Sequence, residues 1–128
     1  MKKLTERQAK WNGGKWITPK RRLAIYLRDG MACCYCGAKV EDEDGTLLSL
    51  DHLKAHSHGG GNESTNLVTA CKKCNSARGN RPVATFAKAV AAYLGTDAGA
   101  ILRHVRNCSR RALPLDEAAE LISRRKAA

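Results

Sequence analysis

Cys33-Cys34-Tyr35-Cys36-Gly37 and Cys71-Lys72-Lys73-Cys74-Asn75 decide how this chain is built, because each holds a C-x2-C pair and 34 residues lie between them. Two residues between thiolates let a tight knuckle aim both sulfurs at one ion. Two such knuckles complete the tetrahedral four-sulfur shell that Zn2+ favours in closed structural sites. Cys33, Cys36, Cys71 and Cys74 are the expected zinc ligands. Buried free thiols or a redox pair are the other reading of the same residues. Cys34 is a second-choice ligand in place of Cys33, at C-x-C spacing, and Cys108 reads as a small buried hydrophobe. A chain of 128 residues with 5% aromatics has room for one small core. Bound zinc would add folding free energy on the order of 10 kcal/mol.

Outward from the knuckles, periodicity and punctuation give the elements. Thr18 and Pro19 open a helix that reaches about Asp29 and stops at Gly30. Leu23, Tyr26 and Leu27 share one face of it, and Arg21, Arg22 and Arg28 are left for solvent or phosphate. Glu41 to Gly45 reads as a solvated hairpin loop, Thr46 to Leu50 as a strand running into Asp51 and His52, His56 to Asn66 as loop, and Leu67 to Ala70 as a second strand. A helix over about 73–79 follows the second knuckle, and three more are expected at 83–94, 97–110 and 115–126. In the second of these Ile101, Val105 and Cys108 line one face, and Arg103, Arg106 and Arg110 line the other. The class is α+β.

Net charge is +11, distributed unevenly. Residues 1–32 carry nine basic and two acidic side chains, 33–80 five and six, and 81–128 nine and four. The division that follows is a basic arm at 1–18, a domain with the zinc knuckles at 19–82 and a basic helical extension at 83–128. Such flanks point to a polyanion. Arg21, Arg22, Lys72, Lys73, Arg103, Arg106 and Arg110 are the expected phosphate contacts. Trp11 and Trp16, interleaved with Lys10 and Lys15, pack on the domain or stack on bases. The longest apolar run, Ala89–Leu94, falls far short of the ~20 residues that cross a bilayer. The polar stretch Thr5-Glu6-Arg7-Gln8 stands where a signal peptide would be apolar, so a cytoplasmic protein with no membrane partner is expected.

Between and after the cysteine pairs lies a second constellation: Asp51-His52, Asn66 and Asn75. A carboxylate, an amide oxygen and waters make a hard-oxygen site suited to Mg2+ or Mn2+. Histidine ordinarily titrates near pH 6.5, so His52 can take a proton from water, as hydrolysis of a phosphodiester requires. Neighbours in a strand point to opposite faces, so Asp51 and His52 converge only if the strand ends or bulges there. Arg78, at i+3 from Asn75, is expected to reach a scissile phosphate. His56 and His58 read as loop residues, and His104 as a helix residue with no special role.

Asp51-His52, Ser57-His58-Gly59-Gly60, Asn66-Leu67 and Cys71-Lys72-Lys73-Cys74-Asn75, with Arg22 to Gly37 upstream, resemble the HNH nucleases. The resemblance covers roughly residues 20–82 and is similar also to the small HNH proteins of phages and prophages. It implies a ββα-metal (His-Me finger) core stapled by zinc. It further implies His52 as general base, Asp51 and Asn75 as ligands of one catalytic divalent ion, and Asn66 as the brace of the loop that bears His52. The implied activity is a DNA endonuclease, nicking or cutting both strands, that leaves 5′-phosphate and 3′-hydroxyl ends. Asn75 stands where many members have His and keeps a metal-binding oxygen; Ala55 stands where many have Pro. The alternatives are a non-catalytic zinc module that binds nucleic acid and an accessory nuclease in phage DNA packaging, with packaging or terminase proteins as partners.

Overall fold

The computed structural model describes residues 17–39 and 47–127. Trp11, Trp16, Lys10, Lys15, most of the basic arm and the acidic loop Glu41–Gly45 lie outside the described residues. Thr18 caps helix α1 (Pro19–Arg28), its Oγ1 accepting from the Arg21 amide at 3.1 Å, and Pro19 presets the helical φ. The chain leaves α1 through two consecutive left-handed residues, Gly30 (φ 79°) and Met31 (φ 54°), and turns into the first knuckle. A bridge between Ala32 and Lys39 closes that knuckle.

Strands β1 (Leu48–His52) and β2 (Leu67–Cys71) pair antiparallel, with Leu48 opposite Cys71, Asp51 opposite Val68 and His52 opposite Leu67. The loop between them holds two single 3-10 turns, His56–His58 and Ser64–Asn66. Helix α2 (Lys72–Arg78) follows β2 directly, and its N-cap is Cys71, whose sulfur accepts from the Cys74 amide at 3.4 Å. A second-knuckle cysteine is thus also a helix cap. Helices α3 (Val83–Leu94), α4 (Ala98–Arg110) and α5 (Leu115–Ala127) complete the chain. Gly95 ends α3 in the left-handed region, and the Asp97 carboxylate caps α4 by accepting from the Ala100 amide at 2.9 Å. The sheet and helices make an α+β fold, and the element limits fall within two residues of those expected from the sequence.

The main core crosses the expected boundary at residue 82. Cys33, Cys34, Tyr35, Val68 and Ala70 from the knuckle and sheet pack with Phe86, Ala87, Val90, Ile101 and Val105 from α3 and α4. Full burial of each larger apolar side chain is worth about 1.5–3 kcal/mol, so α3 and α4 hold the sheet in place. A smaller cluster joins Leu23 and Ala24 of α1 to Ala118 of α5, flanked by Leu27, Leu121 and Ile122. No helix among the described residues is long and apolar enough to cross a membrane.

Arg28 corrects the sequence reading, which assigns it to solvent or phosphate. It is buried, paired with Asp29 at 2.7 Å, and donates to the carbonyls of Leu67 at 2.7 Å and Ser64 at 2.9 Å. Asp29 in turn accepts from the Thr69 amide at 2.8 Å. The pair satisfies backbone groups where α1 meets β2, a requirement that a helical wheel does not contain.

Candidate active site

The two knuckles converge. The sulfurs of Cys33, Cys36, Cys71 and Cys74 all lie within 4.8 Å of one another, and Cys36 Sγ is 3.9 Å from Cys71 Sγ. Two sulfurs each about 2.3 Å from a tetrahedral zinc would stand about 3.8 Å apart, so the four residues fit that ion. The Cys36 amide donates to Cys33 Sγ at 3.5 Å, as the Cys74 amide does to Cys71 Sγ, and these bonds stabilise thiolate charge. Burial pushes the Cys33 thiol up to about 11, and burial with the Cys33 charge pushes Cys74 up as well. Burial opposes ionisation of Cys71 too, but hydrogen bonds from Cys74, Cys33 and Cys36 outweigh it and hold that thiol below the ordinary value. This group of four can hold a metal ion.

Beside the staple, Asp51, His52, Asn75 and Arg78 line one cleft of about 230 Å³, together with Leu50, Ala55, Gly79 and Asn80. Asp51 and His52 alternate along β1, yet both reach this cleft because the strand ends at His52. Asp51 is buried, and one of its oxygens accepts from both the Tyr35 hydroxyl and Arg78 Nη1, the latter at 2.7 Å. A carboxylate has lone pairs for about four partners, so its other oxygen can still face a cation. Burial first, and then the Asp51 charge, push the Tyr35 phenol up, which keeps it a donor. Asn75 spends its amide N–H groups on Ser49 Oγ at 2.9 Å and the Leu50 carbonyl at 3.2 Å. Its oxygen is therefore on the opposite side of the amide. One carboxylate oxygen and one amide oxygen fit Mg2+ or Mn2+, which keep water or substrate oxygens in their remaining positions.

His52 Nε2 lies 2.7 Å from Asn62 Oδ1. An amide oxygen only accepts, so this contact holds the ring in the tautomer that carries its proton on Nε2. Asn66 is buried and fastens the loop after His52 at several points. Its Oδ1 accepts from the Lys54 amide at 2.8 Å, and its Nδ2 donates to the carbonyls of Lys54 at 3.1 Å and Gly61 at 2.9 Å. Its backbone carbonyl accepts from the Leu53 amide at 2.9 Å. Gly60 lies against the same brace: a Cβ there would meet the Lys54 carbonyl oxygen at 1.9 Å.

Arg78, expected to reach a phosphate, is buried instead. It donates to Asp51, to the His52 carbonyl at 2.6 Å, to the Leu53 carbonyl at 3.0 Å and to the Arg81 carbonyl at 2.9 Å. The carbonyls exposed where β1 ends draw the guanidinium inward. Tyr35, Asn62 and Ser49 enter the site without a signal in the sequence, since each contacts its partner across ten or more residues. Arg22, Lys72, Lys73, Arg103, Arg106 and Arg110 are exposed and Arg21 is half-buried. Arg106 and Arg110 share a cleft of about 510 Å³ with Leu53 and Thr65, which sets the α4 stripe beside the loop that Asn66 braces. Among the remaining histidines, His58 is exposed and the side chain of His56 lies outside the described residues.

Residues 33–81 match the HNH endonuclease family. Over 51 residues, 36% of this chain and 22% of the relative, the sequence is 43% identical to YoqL of Bacillus subtilis (strain 168), an SPbeta prophage-derived protein assigned to the HNH endonucleases. Over 68 residues, 52% of this chain and 6% of each relative, it is 34% and 35% identical to the CRISPR-associated endonuclease Cas9 of Corynebacterium diphtheriae and of Actinomyces naeslundii. The chain spans between 6% and 22% of the length of these curated relatives. No solved structure matches it significantly. Two convergent knuckles, two antiparallel strands and a short helix that carries Asn75 lie within the matched segment, and residues 33–81 of this chain are an HNH endonuclease domain.

Proposed function

We propose that the chain is a metal-dependent DNA endonuclease in which His52 is the general base and Asp51 and Asn75 hold one divalent ion, Mg2+ or Mn2+. The carrying observation is that these three side chains line one cleft beside a four-cysteine group that fits zinc. His52 takes a proton from a water whose oxygen forms a bond to phosphorus while the P–O3′ bond breaks; this gives a 5′-phosphate and, after protonation from solvent, a 3′-hydroxyl. The ion supplies neutralisation of charge on the phosphoryl oxygens and the departing alkoxide. Tyr35 and Arg78 orient the Asp51 carboxylate, Asn62 orients the His52 ring, and Asn66 holds the loop behind it. Exposed Arg22, Lys72, Lys73, Arg103, Arg106 and Arg110, with Arg21, hold the duplex through its phosphates. Zn2+ in the knuckles is structural.

Plasmid DNA incubated with wild type and His52→Ala in Mg2+ or Mn2+, with zinc content measured for both, tests the reading. Nicked or linear product from wild type and a loss of at least ~100-fold in the zinc-loaded variant are expected. A zinc-loaded wild type that binds DNA and cuts nothing would make the chain a binding module. The alternative role, an accessory nuclease beside phage packaging proteins, makes a separate prediction. Recovery of a terminase subunit with the tagged chain from phage-infected cells would support that role.

A further inference from the structure

Cys34, His104 and Cys108 take no part in the proposed cleavage, yet the fold gathers them. Their ligand atoms lie within 4.8 Å of one another, with Cys34 and Cys108 buried and His104 exposed. His104 and Cys108 are four residues apart and share a face of α4, and Cys108 Sγ is 3.5 Å from His104 Nε2. Cys34 arrives from the other direction, on a backbone fixed to β2 by its amide, which donates to the Thr69 carbonyl at 2.9 Å. Consecutive cysteines thus serve two clusters: Cys33 joins the four-sulfur group, and Cys34 joins this one.

We propose that Cys34, His104 and Cys108 form a second zinc site that fastens α4 to the first knuckle. A sulfur and a ring nitrogen bound to one tetrahedral zinc, at about 2.3 and 2.05 Å, stand about 3.6 Å apart, which the Cys108–His104 separation matches. Two thiolates and an imidazole are donors of the softness zinc selects. Two thiolate charges also balance the dication, so the buried sulfurs enter as a neutral unit. Three protein ligands leave a fourth position for water on the side where His104 meets solvent. The ion would join residue 34 to residue 108, tying the helix that carries Arg103, Arg106 and Arg110 to the HNH domain.

Native mass spectrometry of the full chain, loaded with zinc under reducing conditions, reads this directly. Wild type should carry two zinc ions, and His104→Ala and Cys108→Ser one each. His104 is exposed, so its removal leaves the core intact even if Cys108→Ser fails to fold. Loading with cobalt gives a second readout, because sulfur-to-cobalt charge-transfer absorbance counts Co–S bonds. Six in wild type against four in His104→Ala predicts a fall of about one third. One zinc in wild type would overturn the site, whether the two thiols are free or joined in a disulfide. Two zinc ions retained in both variants, or unchanged cobalt absorbance in His104→Ala, would overturn it equally.

Discussion

At the scale of single residues, Asp51 is where the knuckle, the sheet and α2 meet. Its carboxylate accepts from Tyr35 of the first knuckle and from Arg78 of α2, and the Arg78 and Asp51 side chains are each 6% exposed. Breaking such a pair strands a buried charge and three carbonyls, so Arg78→Ala should lower stability by about 3–5 kcal/mol in urea unfolding of the zinc-loaded protein. Tyr35 gives a pH signature. Burial and the Asp51 charge hold its phenol above the ordinary value of 10, so at higher pH the unfolded chain has lost a proton that the folded chain keeps. Stability must then fall as pH rises beyond 10, by up to about 1.4 kcal/mol per unit. Unfolding measured between pH 9.5 and 11 should show that slope in wild type and a shallower one in Tyr35→Phe. The sequence displays Asp51 and His52 as a pair, but the residues that aim them, Tyr35 and Asn62, lie at distances along the chain set only by the fold.

Among the elements, the loop between β1 and β2 is irregular over much of its length, yet the Asn66 side chain fastens it. Asn66 reaches both Lys54 backbone groups and Gly61, and Gly60 fits because it has no Cβ. Asn66→Ala removes these three partly buried hydrogen bonds, at about 0.5–1.5 kcal/mol each. Hydrogen exchange at Lys54 should quicken in that variant, and plasmid cleavage should fall further than the lost stability explains. Gly60→Ala should shift the same loop, since backbone oxygen blocks the new methyl group. The sequence marks this stretch by its lack of period and its glycines, which says loop and nothing of rigidity. Helix limits were more legible, because Thr18, Pro19, Gly95 and Asp97 act on neighbouring residues. Arg28 was misread for the opposite reason, since the carbonyls that bury it belong to residues 36 and 39 positions away.

For the whole molecule, zinc in the knuckles and the surface charge would act at different ranges. Protons compete with metal for the knuckle thiols, and burial of Cys33 strengthens that competition, so zinc affinity should rise with pH and the ion should leave on acidification. A zinc-release titration from pH 8 to 5, followed by circular dichroism, should show metal loss and unfolding together. In the proposed function the basic surface would act through counterion release. Replacing Arg103, Arg106 and Arg110 with Gln should weaken DNA binding and flatten the dependence of log affinity on log salt by up to about 2.7, at about 0.9 per phosphate contact. Anisotropy titrations across a salt series read that slope.

Packing of Phe86, Val90, Ile101 and Val105 against the knuckle and β2, and of α5 against α1, also bears on how the protein can be dissected. A fragment trimmed to residues 33–81 would retain the chemistry-bearing side chains while uncovering the apolar surfaces that keep them in register, and it should aggregate on expression. A piece from α1 through α4 keeps the main core covered. Removing α5 as well bares Leu23 and Leu27, so a shortened version needs polar replacements there to stay monodisperse.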